Sequence, residues 1–485
     1  QSAPVLTSRF ILSLPPGWEV RGTVWNHLPF EPAISGSTWT WEARDLPWLE
    51  PEEYSPGAHA IAPRLAISYY PSAGTNPALR PVKDWTTVST WLSGPYDAAA
   101  EVTPEIRRKA EELTRDVKSE LERIRAIAAF AQQTNYVAVA MNLTRGGGYI
   151  PNRARDIVEH NYGDCKDKVT VMRALLAAVG IESWPLVIYS GDRDFVRPEW
   201  PSPQQFDHAI IAVRVSAQTN VPAMLDHPRL GRLLMFDPTD ASTPVGDLPD
   251  QEQGSHALVL AGAKGELVRM PLLPASGNRM ESHVEAKLTP AGSLTAHAQR
   301  QYFGQAAARL RSVTRQHKDD VKRWFELGMS RRLGGMSLNG VVPSDRMQDG
   351  RLQVDLDFAL KQFGQIMQER LLVVEPGGLL AGTGYSFPAK TRRWPVRLTA
   401  SLRRDRVSID LPEGFTPDEI PDPVELQSRW GKYAASWSVK EGKVAFQQTL
   451  EIPNTTAPAS DYGAIREFFE KVAGAQHSAV VLLKK

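Results

Sequence analysis

The sequence predicts an α+β fold, with a mixed helix-and-strand core between two β-rich regions. Three observations lead there. Short apolar stretches broken by Pro and Gly turns run to about residue 98, helical and more polar sequence begins sharply at Thr103-Pro104-Glu105, and strand alternation returns beyond about residue 275. At about 150 residues per domain, a chain of 485 residues makes roughly three domains. They are placed at 1–98, 99–274 and 275–485.

In the first region, Phe10-Ile11-Leu12-Ser13-Leu14 and Leu65-Ala66-Ile67-Ser68-Tyr69 are expected strands of a β-sandwich. Thr103 then offers an N-cap with Pro104 in the first turn, and Leu121, Ile124, Ile127 and Phe130 continue the helical pattern. In the last region, Val284, Ala286 and Leu288 face Leu294, Ala296 and Ala298 across Thr289-Pro290-Ala291-Gly292, which reads as a hairpin. Leu352, Val354, Leu356 and Phe358, and later Val444, Phe446, Leu450 and Ile452, continue the alternation. One helix is expected near 304–330 and one near 460–474. Leu14-Pro15-Pro16-Gly17-Trp18 recurs as Leu411-Pro412-Glu413-Gly414-Phe415. Either the outer regions are related sandwiches, or a common turn occurs twice.

The chemistry concentrates at Tyr162-Gly163-Asp164-Cys165-Lys166-Asp167-Lys168, where the lone cysteine follows a glycine turn and opens a helix. Val169, Met172, Leu175, Leu176 and Val179 mark one buried helical face, and Gly180 reads as the left-handed residue that ends it. With Asp164 as N-cap, unpaired backbone N–H groups and the positive helix end face the sulfur and favour thiolate. A free cysteine is also commonly just a small buried residue. Downstream, Gln205 to Val215 reads as a buried strand with His208 at its entrance. Leu233-Leu234-Met235-Phe236 reads as a second strand that stops on Asp237. A thiol needs a base, and a neutral imidazole needs an acceptor that fixes its tautomer, so Cys, His and Asp make a chemically sufficient set. Taken singly, His208 also fits a satisfied strand-edge histidine, and Asp237 a turn residue before proline.

Tyr162 to Lys168, Phe206-Asp207-His208-Ala209 and Phe236-Asp237-Pro238-Thr239-Asp240 together resemble the bacterial transglutaminase-like superfamily, whose fold is similar to papain-like cysteine enzymes. The resemblance implies a papain-like core flanked by β-sandwich-type domains, with Cys165 as nucleophile, His208 as general base and acid, and Asp237 orienting the imidazole. Arg44-Asp45-Leu46-Pro47, Pro63-Arg64-Leu65, Trp85 and Trp91 resemble a bacterial domain of unknown function that precedes such cores. The oxyanion is expected at the Cys165 backbone N–H and one more donor. Gln133 and Tyr136 are the candidates, and Tyr136 also fits a core role. Tyr149 lines the acyl cleft or packs on the core.

The expected activity is cysteine-dependent acyl transfer, in which the thiolate attacks a peptide or protein amide and water hydrolyses the thioester. A protein-crosslinking transglutaminase or a non-catalytic scaffold shares the same residues. The flanking domains are expected to bind protein or glycan.

Composition narrows the classes. Lys plus Arg number 56 against 55 Asp plus Glu, so a net charge of +1 gives no global attraction to nucleic acid or acidic lipid. The pairs Arg331-Arg332, Arg392-Arg393 and Arg403-Arg404 read as solvated faces. No apolar run approaches the roughly 18 residues of a membrane span. One cysteine excludes an internal disulfide, and ten scattered histidines suggest no metal and no cofactor. Gly146-Gly147-Gly148-Tyr149-Ile150-Pro151 lacks the Lys-Ser/Thr of a phosphate loop and reads as a loop near the thiol. The sequons Asn142-Leu143-Thr144 and Asn454-Thr455-Thr456 are short enough to arise by chance. A start at Gln1 fits a processed secretory protein or a trimmed chain, and the resemblance favours a periplasmic or secreted location. Asp192 through Pro203 lies between the cysteine and histidine elements and either covers the site or, the simpler expectation, is a surface loop with no gating role.

Overall fold

A computed structural model describes residues 3–72, 82–138, 148–380, 382 and 384–485. The sequon at Asn142 and the glycines Gly146 and Gly147 lie outside them. The chain divides into two compact units, one of Gln1–Ala241 with Leu248–Pro271, the other of Ser242–Asp247 with Leu272–Lys485. Both combine helices with mainly antiparallel sheets, so the fold is α+β. No helix among the described residues is long and apolar enough to cross a membrane.

The first unit opens with two small antiparallel sheets. Val5–Ser13 pairs with Thr38–Leu46, which also pairs with Ala33–Ser35, while Trp18–Trp25 pairs with Arg64–Pro71. Helix Trp85–Ala99 follows, within the stretch where the sequence suggested strands. Asp84 caps it by accepting the Thr87 N–H at 2.7 Å, and its inner face buries Val88, Leu92 and Tyr96 against Val187, Leu258 and Leu260. The expected helix after Thr103 is two helices, Pro104–Thr114 and Glu120–Gln133. The second begins afresh because Ser119 and Glu122 form a reciprocal capping box.

These helices and Ala154–His160 pack around helix Cys165–Ala178, which lies on strands Ser183–Ile188 and His208–Arg214. The six-stranded sheet runs Met224–His227, Gly231–Phe236, His208–Arg214, Ser183–Ile188, His256–Val259, Leu267–Arg269, every pairing antiparallel. In the cysteine helix, Val169, Val171, Met172, Leu175 and Leu176 are fully buried. At about 1.5–3 kcal/mol per large apolar side chain, this packing holds the nucleophile's helix against the sheet.

The second unit is built on an eight-stranded sheet. The expected hairpin is Arg279–Leu288 and Leu294–Phe303, with Leu288 opposite Leu294 and Val284 opposite Ala298. Arg351–Leu360 and Lys443–Ile452 are two further strands of the same sheet, and only the pairing of Arg279–Leu288 with Ser401–Asp410 is parallel among its described ladders. The helical stretch near 304–330 is two helices, Gln305–Gln316 and Val321–Ser330, and Tyr462–Gln476 forms the last helix.

Candidate active site

Cys165 is the first residue of its helix, so its backbone N–H has no intrahelical acceptor. The turn ahead of it is locked by Asp167, which is buried and accepts three hydrogen bonds. They come from the Asn152 N–H at 2.7 Å, Asn152 Nδ2 at 3.0 Å and the Asp164 N–H at 3.1 Å. Gly163 is required by this packing, because a Cβ there would come within 2.5 Å of the Asp167 Cβ. Asp164 caps the helix through the Asp167 N–H and also pairs with Lys166.

His208 stands at the start of its strand and Asp237 directly after the neighbouring one, where Phe236 is opposite Ile211. His208 Nε2 meets Asp237 Oδ2 at 3.1 Å, and Cys165 lies close enough to the imidazole to help raise its pKa. The three residues singled out from the sequence are therefore brought together at one place. Asp237 Oδ1 is held separately by the Thr239 N–H at 2.7 Å.

Burial opposes a charged imidazole, but the hydrogen bonds to Asp237 and Cys165 and the Asp237 charge outweigh it. The His208 pKa is pushed up to about 11. Burial likewise opposes the Asp237 carboxylate, yet His208, the Thr239 N–H and Glu252 hold its pKa below the ordinary value. Lys168 is buried nearby, its Nζ bonded to the Gln132 carbonyl at 3.0 Å. Burial lowers its pKa and the charge of Asp237 works against that.

Glu252 was not foreseen from the sequence. It is wholly buried, with Oε1 3.9 Å from His208 Nε2, and neither carboxyl oxygen has a donor. Burial, then the charge of Asp237, raise its pKa well above the usual carboxylate range, so it keeps a proton and gives it in a hydrogen bond to Asp237. Its surroundings, Asp250-Gln251-Glu252-Gln253, read as an ordinary polar turn.

The remaining candidates separate. The pairing of Tyr136 with Gly163 sets Tyr136 beside the nucleophile's turn. Burial and then the charges of Cys165, Asp164 and Asp237 raise the pKa of its phenol. It is 54% exposed, so it does not take the core role that the sequence also allowed. Gln133 is exposed at the end of its helix, and among the described residues no contact joins it to Cys165 or His208. Tyr149 packs on the Val88–Leu92–Tyr96 cluster with its ring 5.6 Å from Trp91, and burial alone raises its pKa. Loop residues 192–205 are anchored to the N-terminal strands. Arg64 donates to the Phe195 carbonyl at 2.7 Å and lies 4.1 Å over its ring.

His208, Asp237 and Glu252 present ligand atoms within 4.8 Å of one another, which is the geometry of a possible cation site among the described residues.

The fold and this site define a class of α+β proteins with a cysteine at a helix start against an antiparallel sheet. At the level of the whole chain, the fold is shared with a candidate protease from Parabacteroides distasonis, at TM-score 0.59 and 12% identity, covering 100% of this chain and 73% of that one. A candidate cysteine protease from Cytophaga hutchinsonii aligns at TM-score 0.21 and 13% identity over 49% of this chain and 72% of its own. Red sea bream transglutaminase aligns at TM-score 0.20 and 9% identity over 93% and 91%. A family profile, that of a domain of unknown function with solved structure (DUF3858), matches residues 371–482, in the C-terminal unit. No curated protein matches the sequence.

Proposed function

We propose that this protein is a cysteine-dependent acyl-transfer enzyme of the peptidase or amidase kind, built on a papain-like core of transglutaminase type. The carrying observation is that His208 is hydrogen-bonded to Asp237 and stands beside Cys165, with its own pKa raised to about 11. The reacting pair is thus the Cys165 sulfur beside a protonated His208. The thiolate attacks an amide carbonyl, and the tetrahedral oxyanion is met by the Cys165 N–H, with the Tyr136 phenol, which keeps its proton, as the second donor. As the C–N bond breaks, the imidazolium gives its proton to the leaving amine. Neutral His208 then takes a proton from water, the hydroxide attacks the thioester, and the sulfur leaves as thiolate while His208 retains the proton. Asp237 holds the ring in orientation throughout. The β-rich regions would serve as binding modules for a protein or glycan that carries the amide.

The test is intact mass spectrometry of the protein mixed with a pool of peptide amides, with Cys165→Ala in parallel and an added primary amine in a third arm. Transient acyl adducts on Cys165 that resolve to free acid support hydrolysis. Preferential transfer to the amine would overturn it in favour of crosslinking, and absence of any adduct would argue against turnover.

A further inference from the structure

In the C-terminal unit, helices Gln305–Gln316 and Val321–Ser330 enclose, with the sheet, a cavity of about 490 Å³ whose apolar wall includes Leu310, Val313, Phe325, Met329, Leu379 and Leu380. This is within the size range of small-ligand pockets, roughly 300–1,000 Å³. Its polar side is built of arginine. Arg300, on the sheet, is 6% exposed and its Nε is buried without an acceptor. Arg332 is exposed at the rim of the same cavity. Among the described residues, neither guanidinium has an ion-pair or hydrogen-bond partner. Arg403 stands close enough to repel Arg332, and it already occupies the nearby carboxylate Asp405 through its Nε at 2.7 Å, alongside Gln448 at 2.6 Å. The cavity thus carries two guanidiniums, Arg300 buried and Arg332 at the rim, with no acidic partner among the described residues, and a buried charge left uncompensated costs several kcal/mol. A bound anion would supply the balance. Its remainder must be apolar, since a sugar or peptide backbone against this wall would leave polar groups unpaired.

We propose that this cavity binds a fatty acid, with its carboxylate on Arg300 and Arg332 and its chain along Leu310, Val313, Phe325 and Met329. The site is independent of the cysteine chemistry and gives the C-terminal unit a ligand of its own.

The experiment is calorimetric titration of the full chain with sodium laurate and with dodecanol, together with thermal unfolding, for the wild type, Arg300→Met and Gly328→Leu. Gly328 lines the cavity, and a Cβ added there meets open space, so Gly328→Leu introduces an apolar side chain at the pocket wall. Laurate is expected to bind one to one and raise the Tm, with dodecanol weaker by at least about tenfold, the loss of a charge-assisted hydrogen bond. Arg300→Met should raise the ligand-free Tm while weakening laurate binding toward that of dodecanol. Gly328→Leu should abolish binding with its fold intact. Failure of laurate to bind the wild type, equal binding of laurate and dodecanol, or unchanged binding in Gly328→Leu would overturn the proposal.

Discussion

Glu252 and Asp237 meet carboxyl to carboxyl in the interior, and they divide the labour between them: Glu252 keeps its proton and Asp237 carries the charge that faces His208. A protonated Glu252 strengthens the Asp237 carboxylate by donating to it, as an amide would. Glu252→Gln should therefore preserve the raised His208 pKa, while Glu252→Leu, which offers Asp237 no donor, should lower it. NMR titration of the His208 ring measures both.

The same pair predicts a pH dependence of stability. The folded pKa of Glu252 lies above its unfolded value, so folding takes up a proton wherever the unfolded carboxyl is ionised. Its stabilising contribution is full below about pH 4.3 and is lost as pH rises from there through the folded value. Glu252→Gln, which has no proton to lose, should melt higher than the wild type at neutral pH, with the difference shrinking toward pH 4. Thermal unfolding across that range checks the sign.

Asp237→Asn should leave the fold intact and cut turnover by about 10²–10⁴-fold, because the amide no longer fixes the imidazole tautomer or stabilises its charged form. The signature that separates this from a structural defect is a fall of the His208 pKa from about 11 toward its ordinary value of 6.5.

Asp167→Ala should destabilise the protein by about 2–4 kcal/mol, since it strands the Asn152 and Asp164 donors that converge on one buried carboxylate. Urea unfolding gives the stability change. Cys165 alkylation should slow as well, because the turn that presents the sulfur loosens.

The cysteine, histidine and aspartate were legible because each sits at a boundary that local sequence marks. Cys165 follows the cap Asp164, His208 opens an apolar run, and Asp237 closes one. Glu252 was not legible, because only the tertiary fold buries that polar turn against Asp237. Helix Trp85–Ala99 was hidden by Gly94-Pro95, which reads as a turn. Packing of Val88, Leu92 and Tyr96 into a buried cluster outweighs the interior proline. The break between the two helices after Thr103 had a local signal, Ser119 with Glu122 three residues on, that apolar periodicity alone passes over. The turn shared by Leu14–Trp18 and Leu411–Phe415 is real in backbone terms, since Gly17 and Gly414 both adopt φ of 83° just ahead of a strand.

The central claim, an activated thiolate paired with His208, is tested most directly by the rate of iodoacetamide alkylation against pH, wild type beside His208→Ala. A lone cysteine makes the signal specific to Cys165. The wild type should react at a nearly constant rate from about pH 6 to pH 9, and His208→Ala should react only as pH rises toward the range of an ordinary free thiol, about 8.5. A wild-type profile that coincides with that of His208→Ala, or a sulfur that does not react in the folded protein, would contradict it.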